Sequence, residues 1–121
     1  MIREFAKNIF FNLNKNKYKF TPFFIIGCGR SGTTILGNTI SSHPEIKYLN
    51  ERRDIWHRCY PEFNIWEATT NKRILLANES HVDKVKNNKL RNLFFKEQVI
   101  SKSSVLLEKL PINNFRLKFL K

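Results

Sequence analysis

Apolar positions change their period several times along this chain. Ile2, Phe5, Ile9, Phe10 and Leu13 recur at steps of three and four among basic residues and asparagines. That spacing predicts a short amphipathic helix within residues 2–19. Such a helix is expected to pack on the domain, with a membrane surface as the other partner that would suit it. Residues 23–26, FFII, form a compact apolar run between Pro22 and Gly27 and predict a buried strand. After the segment GCGRSGTT, Ile35, Leu36, Thr39 and Ile40 fall on one face of a helix. Pro44 closes that helix, because the residue before a proline is pushed out of the helical region. Residues 46–49 predict a second strand, closed by Asn50 and Glu51. Residues 80–101 predict a helix that buries Val82, Val85, Leu93, Phe94 and Ile100. The run VLL at 105–107 predicts a third strand, and INNFRLKFLK starts a basic amphipathic helix. Residues 52–78, with Trp56 and Trp66, show no clear period.

The order strand, glycine loop, helix, strand, helices, strand, helix predicts an α/β fold with a parallel sheet and flanking helices. Residues 1–21 read as a basic N-terminal extension and 22–121 as the folded unit. Three short strands make a narrow parallel sheet with an unprotected edge. The unit therefore reads as the incomplete N-terminal portion of a larger domain.

Charge adds a preference for anions. Lys and Arg number 22 against 10 Asp and Glu, a formal net charge of +12 in 121 residues. A field of that sign attracts nucleotide phosphates, nucleic acid, anionic lipid or sulfated glycans. Composition rich in Lys, Asn, Ile and Phe accounts for much of it. The aromatics are not interleaved with the basic residues as single-strand binding requires, so no nucleic-acid partner is expected. Two cysteines, Cys28 and Cys59, make no disulfide framework. No apolar run approaches the roughly 18–20 residues that span a bilayer, and no secretory signal pattern is seen, so a cytoplasmic protein without a transmembrane segment is expected.

The glycine loop carries the chemistry. Gly27, Gly29 and Gly32 permit tight turning, Ser31, Thr33 and Thr34 supply hydroxyls, and the following helix presents free N–H groups at its start. Together they make an anion site. Arg30 adds a permanent charge and a donor fork. A nucleoside triphosphatase loop needs Lys where Thr33 stands. A dinucleotide fold matches better: GCGRSG fits GxGxxG after a strand, and Glu51 lies about 20 residues on, where a ribose-binding acid belongs. That scheme gives Arg30 and the paired threonines no function.

The stretch FFIIGCGRSGTTILGNTISSHPEIKYLNE resembles the start of the Golgi-type and bacterial sulfotransferases that use 3'-phosphoadenosine 5'-phosphosulfate. Downstream, LLEKLPINNFRLKFL resembles that family's Lys-x-Pro segment and the Asn and Arg after it. The resemblance covers roughly residues 22–56 and 104–121. It implies a P-loop-type sheet and transfer of a sulfuryl group to a hydroxyl or amine on a carbohydrate, tyrosine, lipid or small molecule. It assigns donor binding to Gly29, Arg30, Ser31, Gly32, Thr33 and Thr34, and catalysis to Arg30, Glu51 and Lys109. Glu51 would be the general base, and Lys109 and Arg30 would carry charge on the moving group and the leaving oxygen.

Position supports that assignment. Glu51 follows the second strand, the glycine loop the first and Lys109 the third, and ligands of open parallel sheets sit at the carboxyl ends of strands. Taken singly, Glu51 beside Arg52 and Arg53 reads as a surface ion pair and Lys109 as an ordinary loop lysine. Glu108 faces the other side of its strand and is expected to be structural. His43 reads as a helix-end residue. His57 with Cys59 is too small a set for a metal, so none is expected. The family's Arg-Asp-Pro-Arg segment and the Ser that hold the 3'-phosphate find no match; Arg53-Asp54 is followed by Ile55. The chain alone is therefore expected to be weak or inactive as an enzyme. The rival reading is a Rossmann-like dinucleotide-binding module of an oxidoreductase.

Overall fold

The computed structural model describes residues 1–66 and 72–121. Helix α1 spans Ile2–Asn14, followed by strand β1 (Pro22–Ile25), helix α2 (Thr33–Ile40), strand β2 (Ile46–Asn50), helix α3 (Arg53–Cys59), helix α4 (Lys84–Ile100), strand β3 (Val105–Lys109) and helix α5 (Leu117–Leu120). Short 3-10 turns fill Lys15–Lys17, Pro61–Phe63, Glu79–His81 and Pro111–Phe115. The fold is α/β, as expected from the order of patterns.

The three strands form one parallel sheet in the order β1-β3-β2. The last strand thus inserts between the first two. Its register sets Ile25 and Asn50 against Lys109, and Phe24 and Leu49 against Glu108. Registered residues of a parallel pair share a face, and successive residues alternate. One face therefore carries Phe24, Leu49, Leu106 and Glu108, and it packs on the main core. That core is built from Ile55, Trp56, Cys59, Tyr60 and Phe63 of α3 and the following turn, Leu90 and Phe94 of α4, and Phe119 of α5. Tyr60 stacks on Phe63 at 4.9 Å, and Phe119 stands edge-on to both. The opposite face carries Ile25, Tyr48, Leu107 and Lys109. It is covered by α2, whose Gly37 lies directly against the Tyr48 ring.

Several expectations need correction. Val82 and Val85 are exposed rather than buried: Asp83 caps α4 through the Lys86 N–H, and both valines lie on its open side. The buried positions of α4 are Leu90, Phe94, Gln98 and Val99. Gln98 is fully buried because its amide ties the entry segment to β3: it donates to the Lys19 and Ser104 carbonyls and accepts from the Thr21 N–H. On α2, Ile35, Leu36 and Ile40 share a face as expected, but that face is exposed. The stretch 52–78, which showed no period, supplies much of the core; within it, residues 67–71 lie outside the described residues.

Candidate functional site

The carboxyl ends of the three strands open onto one cleft of about 390 Å³. Gly29, Arg30, Gly32, Thr33 and Thr34 wall it from the β1 side, Glu51 from β2, and Lys109 and Pro111 from β3. Every residue that the sequence singled out for the site lines this cleft except Ser31. The Ser31 hydroxyl instead donates to the Cys28 carbonyl at 2.6 Å, and its N–H closes the same turn.

The loop folds by left-handed backbone. Gly32 (φ 80) is the N-cap of α2, and Arg30 (φ 63) reaches the same region at the cost of a side-chain clash that glycine avoids. Gly29 needs no unusual angle, and a methyl group added there would meet nothing within 4 Å. Its lack of a side chain keeps the cleft open rather than relieving strain. The loop ends on the eight-residue helix α2, whose first N–H groups have no partner inside the helix and carry its partial positive charge. Thr33 is buried at that point, while Arg30 is exposed and has no ion-pair partner among the described residues.

Across the cleft, Lys109 is 3% exposed and its Nζ donates to Glu51 Oε1 at 2.7 Å. The two strands are also joined there by the Glu51 N–H, which donates to the Lys109 carbonyl at 2.8 Å. Glu51 is a second residue in the left-handed region, at φ 53. Such conformations cost on the order of 1–3 kcal/mol each and collect at functional sites. Lys109 holds the Glu51 carboxyl below the usual carboxylate range, against the opposing effect of burial. The surface-pair reading of Glu51 is half right. Arg53 does pair with it, Nη2 to Oε2 at 3.2 Å, while Arg52 turns away to Asp54 and Glu97. Arg53 also lies over the Trp66 ring at 4.2 Å. The pairing of Arg53 was legible from adjacency; its packing on Trp66 was not.

Glu108, on the other face of β3, is 1% exposed. Trp56 Nε1 donates to its Oε1 and Asn113 Nδ2 to its Oε2, both at 3.1 Å. Burial pushes its carboxyl up to about 7. Nearby Arg116 is also buried, donates to the Phe63 carbonyl at 2.8 Å and is lowered to about 10 by burial. Glu108 thus belongs to the core, as the alternation of the strand requires. No group of three metal-ligating side chains occurs among the described residues, and no described helix is long and apolar enough to cross a membrane.

The arrangement offers an anion cradle, an exposed cation in Arg30, and a carboxylate paired with a buried ammonium on the facing wall. A sequence model described as "Sulfotransferase family" matches residues 22–121. No curated protein and no solved structure matches the chain.

Proposed function

Since the chain belongs to the sulfotransferase family, we infer that its cleft binds 3'-phosphoadenosine 5'-phosphosulfate and passes the sulfuryl group to an acceptor hydroxyl or amine. The observation that carries this reading is the meeting of Arg30, Glu51 and Lys109 around one glycine loop. The α2 N-terminus with Thr33 and Thr34 would hold the 5'-phosphate. An acceptor hydroxyl oxygen then bonds to sulfur, the bond from sulfur to the bridging phosphate oxygen breaks, and the departing oxygen keeps the electron pair. Arg30 offsets the charge that grows on that oxygen, and Glu51 takes the acceptor proton.

The Lys109–Glu51 pair gives this scheme a sequence of events. The sulfuryl oxygens compete with Glu51 for the Lys109 ammonium. When Lys109 turns to the donor, the carboxylate loses the stronger of the two partners that depress its pKa, keeping Arg53, and becomes a better base. The Rossmann-like reading gains nothing from the family match, and it leaves Lys109 without a role.

Donor binding is the first readout. Calorimetry with 3',5'-adenosine bisphosphate and with NAD separates the two readings. Binding of the bisphosphate alone is the expected result, and preference for NAD would overturn it. Transfer of radiolabelled sulfate to a broad acceptor panel then reports the reaction itself.

A further inference from the structure

Helix α1 meets the rest of the molecule along one side. The Phe11 ring stands edge-on to Phe95 of α4 at 5.6 Å, and Glu4 pairs with Lys96. These contacts fix the rotation of the helix about its axis. At about 3.6 residues per turn, Ile2, Phe5, Ile9 and Leu13 then line the opposite side. They are 84%, 66%, 44% and 74% exposed, and no residue of α1 is buried. Of the apolar positions that the sequence predicted, Phe10 is half-buried beneath Lys102, while the stripe of Ile2, Phe5, Ile9 and Leu13 does not pack on the domain.

The charge near the stripe has one sign: Arg3 lies toward one edge and Lys15, Lys17 and Lys19 follow the end of the helix, while Lys7 falls on the packed side with Glu4 and Phe11. Residues 1–21 carry Arg3, Lys7, Lys15, Lys17 and Lys19, and their one acid, Glu4, is already paired with Lys96. We propose that α1 is a surface anchor for anionic lipid, with the stripe set among the acyl chains at the headgroup boundary and the basic side chains on the lipid anions. An exposed apolar helix side with cations at its edge and just past its end suits a membrane interface. A second copy of the chain would cover the stripe only by bringing five further basic residues against these five. A nucleic acid would meet the charge but leave three aliphatic side chains, Ile2, Ile9 and Leu13, without cover.

The test is flotation of the purified chain with vesicles of phosphatidylcholine alone and of phosphatidylcholine containing one third phosphatidylserine. The chain is expected to float with the anionic vesicles, hardly with the neutral ones, and less as salt is added. The pair Phe5→Ser and Ile9→Ser should weaken this at least ~tenfold, while circular dichroism and the unfolding midpoint hold, because both side chains are exposed. Changing Lys15, Lys17 and Lys19 to Gln should remove the preference for anionic lipid. Failure of the native chain to float, or equal flotation of the serine variant, overturns the proposal. So does a concentration-dependent dimer that the serine variant abolishes, which would assign the stripe to a second copy.

Discussion

Two neighbouring residues at the end of β3 handle charge in opposite ways. Glu108 and Lys109 are almost equally buried, at 1% and 3% exposure. Glu108 faces the aromatic core, where water is excluded and its carboxyl is driven up to about 7. Lys109 faces the cleft, where a carboxylate answers its charge and is itself held low. On the core side burial works against the charge of Glu108, and on the cleft side pairing with Glu51 answers the charge of Lys109. Both left-handed non-glycine residues at strand or loop ends, Arg30 and Glu51, stand on the cleft side. The third, Lys102, merely closes the carboxyl end of α4, an ordinary place for such a residue. Two of the three left-handed non-glycine residues thus stand where a ligand would be met, and the aromatic core begins one residue away from Lys109.

The sharpest test of this division is Glu51→Gln, which keeps the shape and removes the proposed base. Sulfuryl transfer should fall by about 10²–10⁴, and the unfolding midpoint should drop as well, because the buried Lys109 ammonium loses the carboxylate that answers it; an unchanged midpoint would show that the cleft does not keep charge by pairing. From the other side, Trp56→Ala should cost about 3–5 kcal/mol of stability, more so because it strips a donor from Glu108, and denaturant titration would measure it. Donor affinity of the fraction that remains folded should be unchanged.

A smaller effect comes from pH. The folded Glu108 carboxyl, at about 7, binds its proton more tightly than an ordinary one at 4.5. Its contribution to stability is complete below that ordinary value and is lost as pH rises through the window to about 7. The loss is roughly 3 kcal/mol by linkage. Glu108→Gln should flatten this slope. Asn113 Oδ1 has no partner among the described residues and can accept from the new amide once the Asn113 amide turns over. An unchanged slope would show that Glu108 does not govern it. Smallest of all is Gly29→Ala, which should leave stability alone, because the methyl meets no protein atom within 4 Å. It should weaken bisphosphate binding by roughly tenfold, read by calorimetry.

The cleft was more legible in the sequence than the core. The run FFII, the segment GCGRSGTT and the run VLL each declare themselves within a few residues, and a parallel sheet brings their carboxyl ends together whatever else the chain does. The core depends on spacing across an interruption. Ile55, Trp56, Cys59, Tyr60 and Phe63 do keep a helical step, but α3 is only seven residues long and Pro61 converts its continuation into a 3-10 turn. A period cut so short is lost among the polar residues around it. Gln98 was illegible for a different reason: a polar side chain at a buried position is justified only by the backbone groups it satisfies, and those lie far off in sequence.

The strand order also sets when the site can exist. β1 and β2 are not sheet neighbours, and each pairs only with β3. During synthesis the glycine loop and Glu51 emerge early yet have nothing to hold them in register until residues 105–109 arrive. Closing two long loops in one step makes the sheet a high-contact-order object, slow to nucleate and cooperative once begun. A nascent chain released before Lys109 would own the whole glycine loop and still have no cleft to put it in.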